Sequence, residues 1–364
     1  NEINWRNMYH WKYASDEILK YNHSSGKYET TPVKQDAEST NPSWYRDGES
    51  NYYYYGKFGS GMPEINYENQ ATRNIIKNMA KYWLSFGLDG FRLDAVKHIY
   101  MKDEVADTGT DVIITDVGSK TAYDNEIGEY VTKDFDYSSD LTKNVAWWKE
   151  FAGDLKATYP NCFLVGENFD GWGTRTATYY QALDSQFDFS AYYHIAQYLY
   201  ANPSYYGSGG ASAYAANQAS ETFVPFASSD YFTLGDTGVS IQGGKRSDFI
   251  DGAFTSNHDL MRASNHVNGT WASPTDTTDV QTITGTAEQI GRAKVHAAVT
   301  MLTPGISWIY YGDELGMSSN TEQHVEKYKN ENSMDIWYRQ PFLWGDDTQT
   351  GYQAGGYTFE LDSY

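Results

Sequence analysis

Cysteine, basic charge and long apolar runs are scarce in this sequence, and each scarcity excludes a class of protein. The single cysteine, Cys162, excludes an intrachain disulfide, and its place in an apolar run predicts a core residue, not a nucleophile. Lysine and arginine total 27 against 48 acidic residues, a net charge of -21, which disfavours nucleic acid and anionic membranes as partners. Because no apolar run reaches the roughly 18 residues of a membrane span, we expect no membrane insertion from this segment.

Aromatic residues are plentiful, with 33 tyrosines and 11 tryptophans. Many tyrosines lie in polar runs, such as residues 52–55 and 204–207. Exposed aromatic rings can stack on the C–H faces of sugars, and an acidic chain suits an uncharged partner such as a neutral polysaccharide. Packing of these rings over the core, and acidic charge that serves solubility alone, explain the same composition.

One short segment carries the strongest local signal. Leu88, Phe91 and Leu93 form the apolar side of a short buried strand. Arg92 and Asp94 share a side of it, because residues two apart in a strand point the same way. A guanidinium beside a carboxylate keeps it ionised and oriented, as a nucleophile at the end of a barrel strand requires. A purely structural ion pair is the alternative.

Two later apolar strands also end on an acidic residue. Glu167 follows the apolar run 162–166, and Asp259 ends a strand that starts near Phe249. Strands that alternate with helical stretches indicate a parallel α/β sheet, in which the carboxyl ends of the strands share an edge. Three strands that bring Asp, Glu and Asp to one edge are far more specific than any one of them.

In this order and with these flanks, the three strands resemble the α-amylase family of retaining glycoside hydrolases (glycoside hydrolase family 13), and its bacterial α-amylases most. Residues 62–66 look like the family's short motif before the fourth barrel strand, and residues 303–314 look like its eighth strand. The resemblance implies a (β/α)8 TIM barrel that is truncated here, with strands 4–8 and part of the inserted domain B visible. The family's early motif ending in Asn-His is not found.

The expected organisation has three parts. Residues 1–66 resemble the inserted domain B, residues 67–320 hold the barrel strands and helices with the catalytic residues, and residues 321–364 form a loop after the last strand. Helices are predicted over 68–86, 141–158 and 287–302, and the first carries its apolar residues on one face: Ile75, Ile76, Met79, Tyr82, Trp83 and Phe86. Five strands leave two open sheet edges, so we expect residues 1–364 to need the missing N-terminal barrel strands for folding.

The resemblance assigns the chemistry to the three acids. Asp94 becomes the nucleophile and Glu167 the acid/base, with carboxyl groups about 5–5.5 Å apart for retention. Because Glu167 follows an apolar run, desolvation should raise its pKa. Asp259 would hold sugar hydroxyls and stabilise the oxocarbenium-like transition state.

Further residues are assigned to substrate binding. His258 would donate to a hydroxyl of the same sugar ring, and Arg262 would pair with an acid at the rim or contact sugar. Arg92 supports the nucleophile. Lys97 and His98 are typical of family members that act on α-1,4 bonds, although a Lys and a His on the first turn of a helix would look the same.

The resulting hypothesis is an extracellular bacterial α-amylase that hydrolyses internal α-1,4 bonds of starch and maltooligosaccharides. A 4-α-glucanotransferase or cyclomaltodextrinase on the same scaffold, a cytoplasmic maltodextrin enzyme and an inactive fragment are alternatives. A non-catalytic starch-binding protein is another, which the intact trio disfavours. No zinc pattern and no organic cofactor are expected. Calcium is common in the family, and the backbone carbonyl of His98 could contribute a ligand, but the sequence gives no complete ligand set.

Overall fold

The structure is a computed structural model. It describes residues 5–22, 27–40, 42–100, 121–124, 129–132, 142–169, 176, 179–189, 192, 249–260, 262–264, 287–302, 305–316, 339, 342, 352–354 and 357–359. The chain forms two compact units. The first contains Asn1–Asn168, Ala177–Asp184 and Val239–Phe249, and the second contains Phe169–Thr176, Ser185–Gly238 and Ile250–Tyr364. The predicted domain bounds at residues 66 and 320 stay a prediction.

The first unit begins with short antiparallel strands. They are β1 (Trp11–Tyr13), β2 (Glu17–Asn22), β3 (Lys27–Pro32), β4 (Trp44–Arg46) and β5 (Tyr52–Tyr55), with helix α1 (Val33–Ala37) between β3 and β4. Strand β5 pairs with both β1 and β4, while β2 pairs with β3. The period of two along β5 buries Tyr53 and Tyr55 against Trp44 and leaves Tyr52 exposed. Alternation therefore gives these tyrosines two roles, half of them core and half surface.

Helix α2 (Gln70–Leu84) is capped as its sequence indicates. The Asn69 side chain accepts a hydrogen bond from Ala71 N at 2.9 Å, and Gly87 beyond the other end has a φ of +92°. Only part of the predicted apolar face is buried. Ile76 packs against the core, in which Ala80 and Leu84 are buried, whereas four members of the predicted face are exposed: Met79, Tyr82, Trp83 and Phe86.

Ion pairs join α2 to helix α3 (Thr142–Thr158). Lys77 Nζ lies 2.7 Å from Glu150 Oε1, and Lys81 Nζ lies 2.6 Å from Asp154 Oδ2. Lys77 and Lys81 are four residues apart on α2, and their partners are four residues apart on α3. The two ion pairs therefore lie about one helical turn apart. Beside these pairs, Ile76, Ala80 and Leu84 of α2 pack into the same apolar cluster as α3.

The parallel pair of the first unit consists of β6 (Gly90–Leu93) and β9 (Phe163–Gly166), with Arg92 opposite Val165 and Leu93 opposite Gly166. A hairpin of β7 (Thr121–Asp124) and β8 (Glu129–Thr132) lies between them in the chain. Trp147, Trp148, Phe151 and Leu155 of α3 pack into the core of the unit with Leu164 of β9 and with Cys162, directly before β9. Burial of Cys162 confirms it as a core residue.

The second unit holds three parallel strands, β10 (Ser185–Phe187), β11 (Ile250–Phe254) and β12 (Ile306–Trp308), with β11 in the middle. Helix α4 (Ala287–Leu302) precedes β12. An antiparallel hairpin of β13 (Tyr352–Ala354) and β14 (Tyr357–Phe359) lies where a loop was expected within residues 321–364. Across the described residues of both units the parallel strands number five, as predicted. None of the described helices is long and apolar enough to cross a membrane.

Candidate active site

Strand β6 delivers Arg92 and Asp94 to the same side, as the spacing predicted. Arg92 Nη1 forms an ion pair with Asp94 Oδ1, and the Asp94 side chain is 79% exposed. Arg92 Nη2 also lies 4.0 Å from Glu167 Oε2. One guanidinium therefore faces two carboxyl groups, one exposed to solvent and one buried.

The register of β6 and β9 places Glu167 beside the turn that follows Asp94. Glu167 N donates to Leu93 O at 2.8 Å, and Val96 N donates to Glu167 O at 2.9 Å. The Glu167 side chain accepts a hydrogen bond from Ala95 N at 3.1 Å. Ala95 has a φ of +43°, an uncommon conformation for a residue with a Cβ. The residue after Asp94 thus binds the Glu167 carboxyl through its own backbone.

Burial separates the chemistry of the two carboxyl groups. The Glu167 side chain is only 8% exposed, and desolvation raises its pKa. The charge of Arg92 and the N–H of Ala95 lower it, while the charge of Asp94 raises it. The raised pKa confirms the expectation drawn from the apolar run before Glu167. A raised pKa favours the protonated form that general acid catalysis requires.

Lys97 and His98 lie in a turn, not in a helix. His98 N donates to Ala95 O at 2.8 Å, and the buried His98 ring meets Phe58 edge to face at 5.6 Å between centroids. The carbonyl of Lys97 accepts a hydrogen bond from the side-chain amide of Asn144. These contacts fix the backbone after Asp94. The binding roles of the two side chains stay predictions.

In the second unit, the loop after β11 carries the motif Asn257–Asp259. His258 Nε2 lies 3.1 Å from Asp259 Oδ2, and Asp259 N donates to Asn257 Oδ1 at 2.8 Å. The His258 and Asp259 side chains are 41% and 30% exposed. This loop therefore presents a histidine and a carboxylate, side by side and accessible.

Arg339 is a candidate that the sequence analysis missed. Its Nη2 donates to Asp259 Oδ1 at 2.7 Å, and its Nε donates to His258 O at 3.0 Å. The arginine is 80 residues away in the chain and belongs to no motif with regular spacing. Two aromatic residues, Trp337 and Tyr338, directly precede it, and they are the signal that could have drawn attention to this arginine.

Arg262 pairs with an acid, which was one of the two roles expected. It is fully buried, and its Nη1 donates to Tyr311 O at 2.7 Å and lies 3.8 Å from Asp313 Oδ1. The guanidinium carbon lies 4.7 Å from the centre of the Tyr310 ring and 4.8 Å from that of Tyr311. Arg262 is thus enclosed by the turn that follows β12.

Asp94 and Glu167 belong to the first unit and Asp259 to the second, so the grouping of all three around one sugar stays a prediction. Within the described part of the chain, no cluster of three or more His, Cys, Asp or Glu side chains could hold a metal ion. Whether the protein binds calcium stays an expectation from the resemblance. No step of the chemistry is assigned to calcium.

Comparison with known proteins identifies the family. A sequence model of the α-amylase catalytic domain matches residues 2–363. Alpha-amylase 3 of Dictyoglomus thermophilum is 27% identical over 317 residues, which cover 87% of this chain and 44% of the relative. Probable oligo-1,6-glucosidase 3 of Bacillus subtilis is 37% identical over 82 residues, 22% of this chain and 15% of the relative. The structure of Amy13B from Eubacterium rectale matches with a TM-score of 0.54 and 19% identity, over 88% of this chain and 43% of that one.

The chain thus spans less than half the length of each of these proteins. The likeness to the solved structure shows the shared fold and, with the family match, confirms the predicted TIM-barrel class. Since the match to the catalytic domain extends over nearly the whole chain, this protein belongs to the α-amylase family of glycoside hydrolases, glycoside hydrolase family 13.

Proposed function

We propose that the protein is an extracellular α-amylase that hydrolyses internal α-1,4-glucosidic bonds of starch and maltooligosaccharides with retention. The observation that carries the proposal is the arrangement around Arg92. An exposed carboxylate on Asp94 is paired with this guanidinium, and a buried carboxyl group on Glu167, with a raised pKa, lies beside it. The extracellular location rests on substrate size, because starch granules cannot enter cells.

In the proposed reaction, Asp94 attacks the anomeric carbon while Glu167 protonates the leaving glycosidic oxygen. Glu167 then removes a proton from the water that hydrolyses the glycosyl-enzyme intermediate. The Ala95 N–H donates a hydrogen bond to the Glu167 carboxyl group. Because Ala95 directly follows Asp94, this bond fixes the orientation of the acid relative to the nucleophile. Asp259 and His258 would hold the hydroxyl groups of the reacting sugar, with Arg339 fixing the Asp259 carboxylate.

Glu167→Gln tests this assignment in the full-length protein. The amide keeps the shape of the side chain but cannot deliver a proton, so turnover of maltoheptaose should fall roughly 10³-fold or more. Maltooligosaccharide binding, followed by calorimetry, should persist. Glu49→Gln is the matched control, because that side chain is fully exposed and should leave turnover unchanged. Near-normal turnover in Glu167→Gln would refute the proposed role of Glu167 as the acid/base.

An α-1,6-acting glucosidase is the second candidate, because of the similarity over 82 residues to the probable oligo-1,6-glucosidase of Bacillus subtilis. The Lys97-His98 pair after the nucleophile supports α-1,4 action instead. Incubation with maltoheptaose and with isomaltotriose discriminates between them. Shorter products from maltoheptaose alone support the amylase, cleavage of isomaltotriose supports the second candidate, and chains longer than the input indicate a glucanotransferase.

A further inference from the structure

The loop that carries His258 and Asp259 is held at both flanks by one residue of the turn after β12. On the side before the motif, Ser256 donates its hydroxyl to Asp313 Oδ2. On the side after it, Arg262 Nη1 lies 3.8 Å from Asp313 Oδ1. One oxygen of Asp313 thus accepts a hydrogen bond from the residue before Asn257–Asp259, and the other faces the charge of the arginine after it. A shift of this carboxyl group would be transmitted to both ends of the loop.

Burial makes these contacts costly to disrupt. The Arg262 side chain is 0% exposed and the Asp313 side chain 7% exposed. Removing one partner of a buried ion pair leaves the other charge without compensation. The rings of Tyr310 and Tyr311 lie against the guanidinium, and the Tyr311 carbonyl accepts its hydrogen bond. Arg262 is thereby fixed to the same turn that contains Asp313.

We propose that Asp313 is a positioning residue for Asp259 and His258, which it acts on through Ser256 and Arg262. The inference rests on the proposed function, since Asp259 and His258 must bind the reacting sugar for their position to matter. Asp313 itself touches neither of them and is not a catalytic residue. Its role is to fix the loop between β11 and Arg262 at the geometry that the transition state needs.

The charge on Asp313 is part of this role. Burial is the largest cause that raises its pKa, to about 6, and the Glu314 charge also raises it. The Ser256 hydroxyl, the Arg262 charge and the Thr255 side chain lower the pKa of this group. The carboxyl group is therefore ionised at neutral pH and attracts the Arg262 guanidinium. Asp313→Asn keeps the size and a hydrogen-bond acceptor for Ser256 but removes that attraction.

The test compares Asp313→Asn in two backgrounds of the full-length protein at pH 7.5. The substrate is a nitrophenyl maltotrioside, whose good leaving group keeps slow variants measurable. In the wild-type background kcat/KM should fall roughly 10- to 100-fold. In the Asp259→Asn background the same substitution should cost less than about 3-fold, because Asp259 has already lost its carboxylate and only the position of His258 is left to disturb.

Glu314→Gln is the matched control, since Glu314 lies in the same turn and its side chain accepts a hydrogen bond from Gly312 N, which the amide oxygen of glutamine can also accept. It should keep the wild-type kcat/KM. If Asp313→Asn does not fold, Ser256→Ala removes a single hydrogen bond and should show the same dependence on background, with a smaller loss. Equal losses in both backgrounds, or no loss in either, would overturn the positioning role. A wild-type protein inactive on every α-glucan would overturn the proposed function and this role with it.

Discussion

At the residue scale, one turn gives two neighbouring carboxyl groups different properties. Asp94 projects into solvent, whereas Glu167 is buried. Arg92 contacts the first and faces the second, so its charge opposes the desolvation that raises the pKa of Glu167. Two carboxyl groups whose environments differ in this way are the usual basis for dividing nucleophile and acid between them.

A pH-dependent stability difference follows from the burial of Glu167. Because its folded-state pKa is raised above the ordinary value of 4.5, the folded protein binds more protons than the unfolded chain above pH 4.5. The stability from the protonated carboxyl is complete below that pH and is lost as the pH rises through the folded-state pKa. Glu167→Gln has no such proton to lose. Its Tm should therefore match that of the wild type near pH 4 and exceed it increasingly toward neutral pH.

Melting curves by differential scanning calorimetry at pH 4, 5, 6 and 7 would measure this difference. Glu49→Gln, with its fully exposed side chain, should track the wild type throughout. A Tm difference for Glu167→Gln that is constant with pH would contradict the burial argument.

Arg92→Gln should affect both carboxyl groups at once. It removes the ion pair that orients Asp94 and the positive charge that lowers the pKa of Glu167. We expect kcat/KM to fall about 100-fold and the basic limb of its pH profile to move to higher pH. The pH profile is the decisive measurement, because loss of orientation alone would lower the curve without moving that limb.

Sequence patterns predicted some of these contacts and missed others for identifiable reasons. The Arg92–Asp94 pair follows from the strand period, and the burial of Glu167 follows from the apolar residues before it. The positive φ of Ala95 could not be predicted, because it is imposed by the hydrogen bonds between the two strand ends. The contact of Arg339 with Asp259 is a tertiary contact between segments with no shared pattern.

At the element scale, periodicity predicted the helices better than their buried faces. Helices α3 and α4 lie within one residue of their predicted bounds. The aromatic stripe of α2 is exposed although Ile76 of the same predicted face packs against the core, and a single-helix pattern does not show which part of an apolar face meets the rest of its own unit. The hairpin of β13 and β14 was predictable, since Gly355-Gly356 between two alternating segments is a hairpin signal.

Alanine substitutions at two glycines of these elements should change the free energy of unfolding in opposite directions. A Cβ on Gly90, in β6, would lie 1.8 Å from the carbonyl oxygen of Phe163, so Gly90→Ala should push β6 and β9 apart. The expected loss in the free energy of unfolding is about 3 kcal/mol or more. Gly153, within α3, has no atom within 4 Å of such a Cβ. Gly153→Ala should therefore stabilise the protein by roughly 0.5–1 kcal/mol through helix propensity.

Urea unfolding of the full-length protein, followed by circular dichroism, would give both values. The two substitutions add the same methyl group, so the difference between them isolates the close approach of the strands. A Gly90→Ala variant as stable as Gly153→Ala would show that β6 and β9 do not approach this closely.

At the scale of the whole molecule, each unit leaves an apolar helix face exposed. At the C-terminal end of α2 in the first unit, Tyr82 and Trp83 are 57% and 50% exposed, and Phe86, just beyond the helix, is 66% exposed. The centroids of these three rings lie 4.9–6.1 Å apart. On α4 of the second unit, Met301 and Leu302 are 55% and 82% exposed. Contiguous apolar surface of this kind normally lies against other protein, which supports the prediction that residues 1–364 need further barrel elements to fold.

A polypeptide limited to residues 1–364 should therefore self-associate and show no cooperative melt. Replacing Trp83 by Lys should reduce the association, because it places a charge in the centre of the aromatic face. Asn78→Lys adds the same charge at an exposed polar position of the same helix and should reduce association much less. Light scattering on a sizing column measures the mass of each variant, and calorimetry measures cooperativity. A wild-type polypeptide that elutes as a monomer and melts in one sharp transition would show that the exposed faces are tolerated and that the five parallel strands suffice for folding.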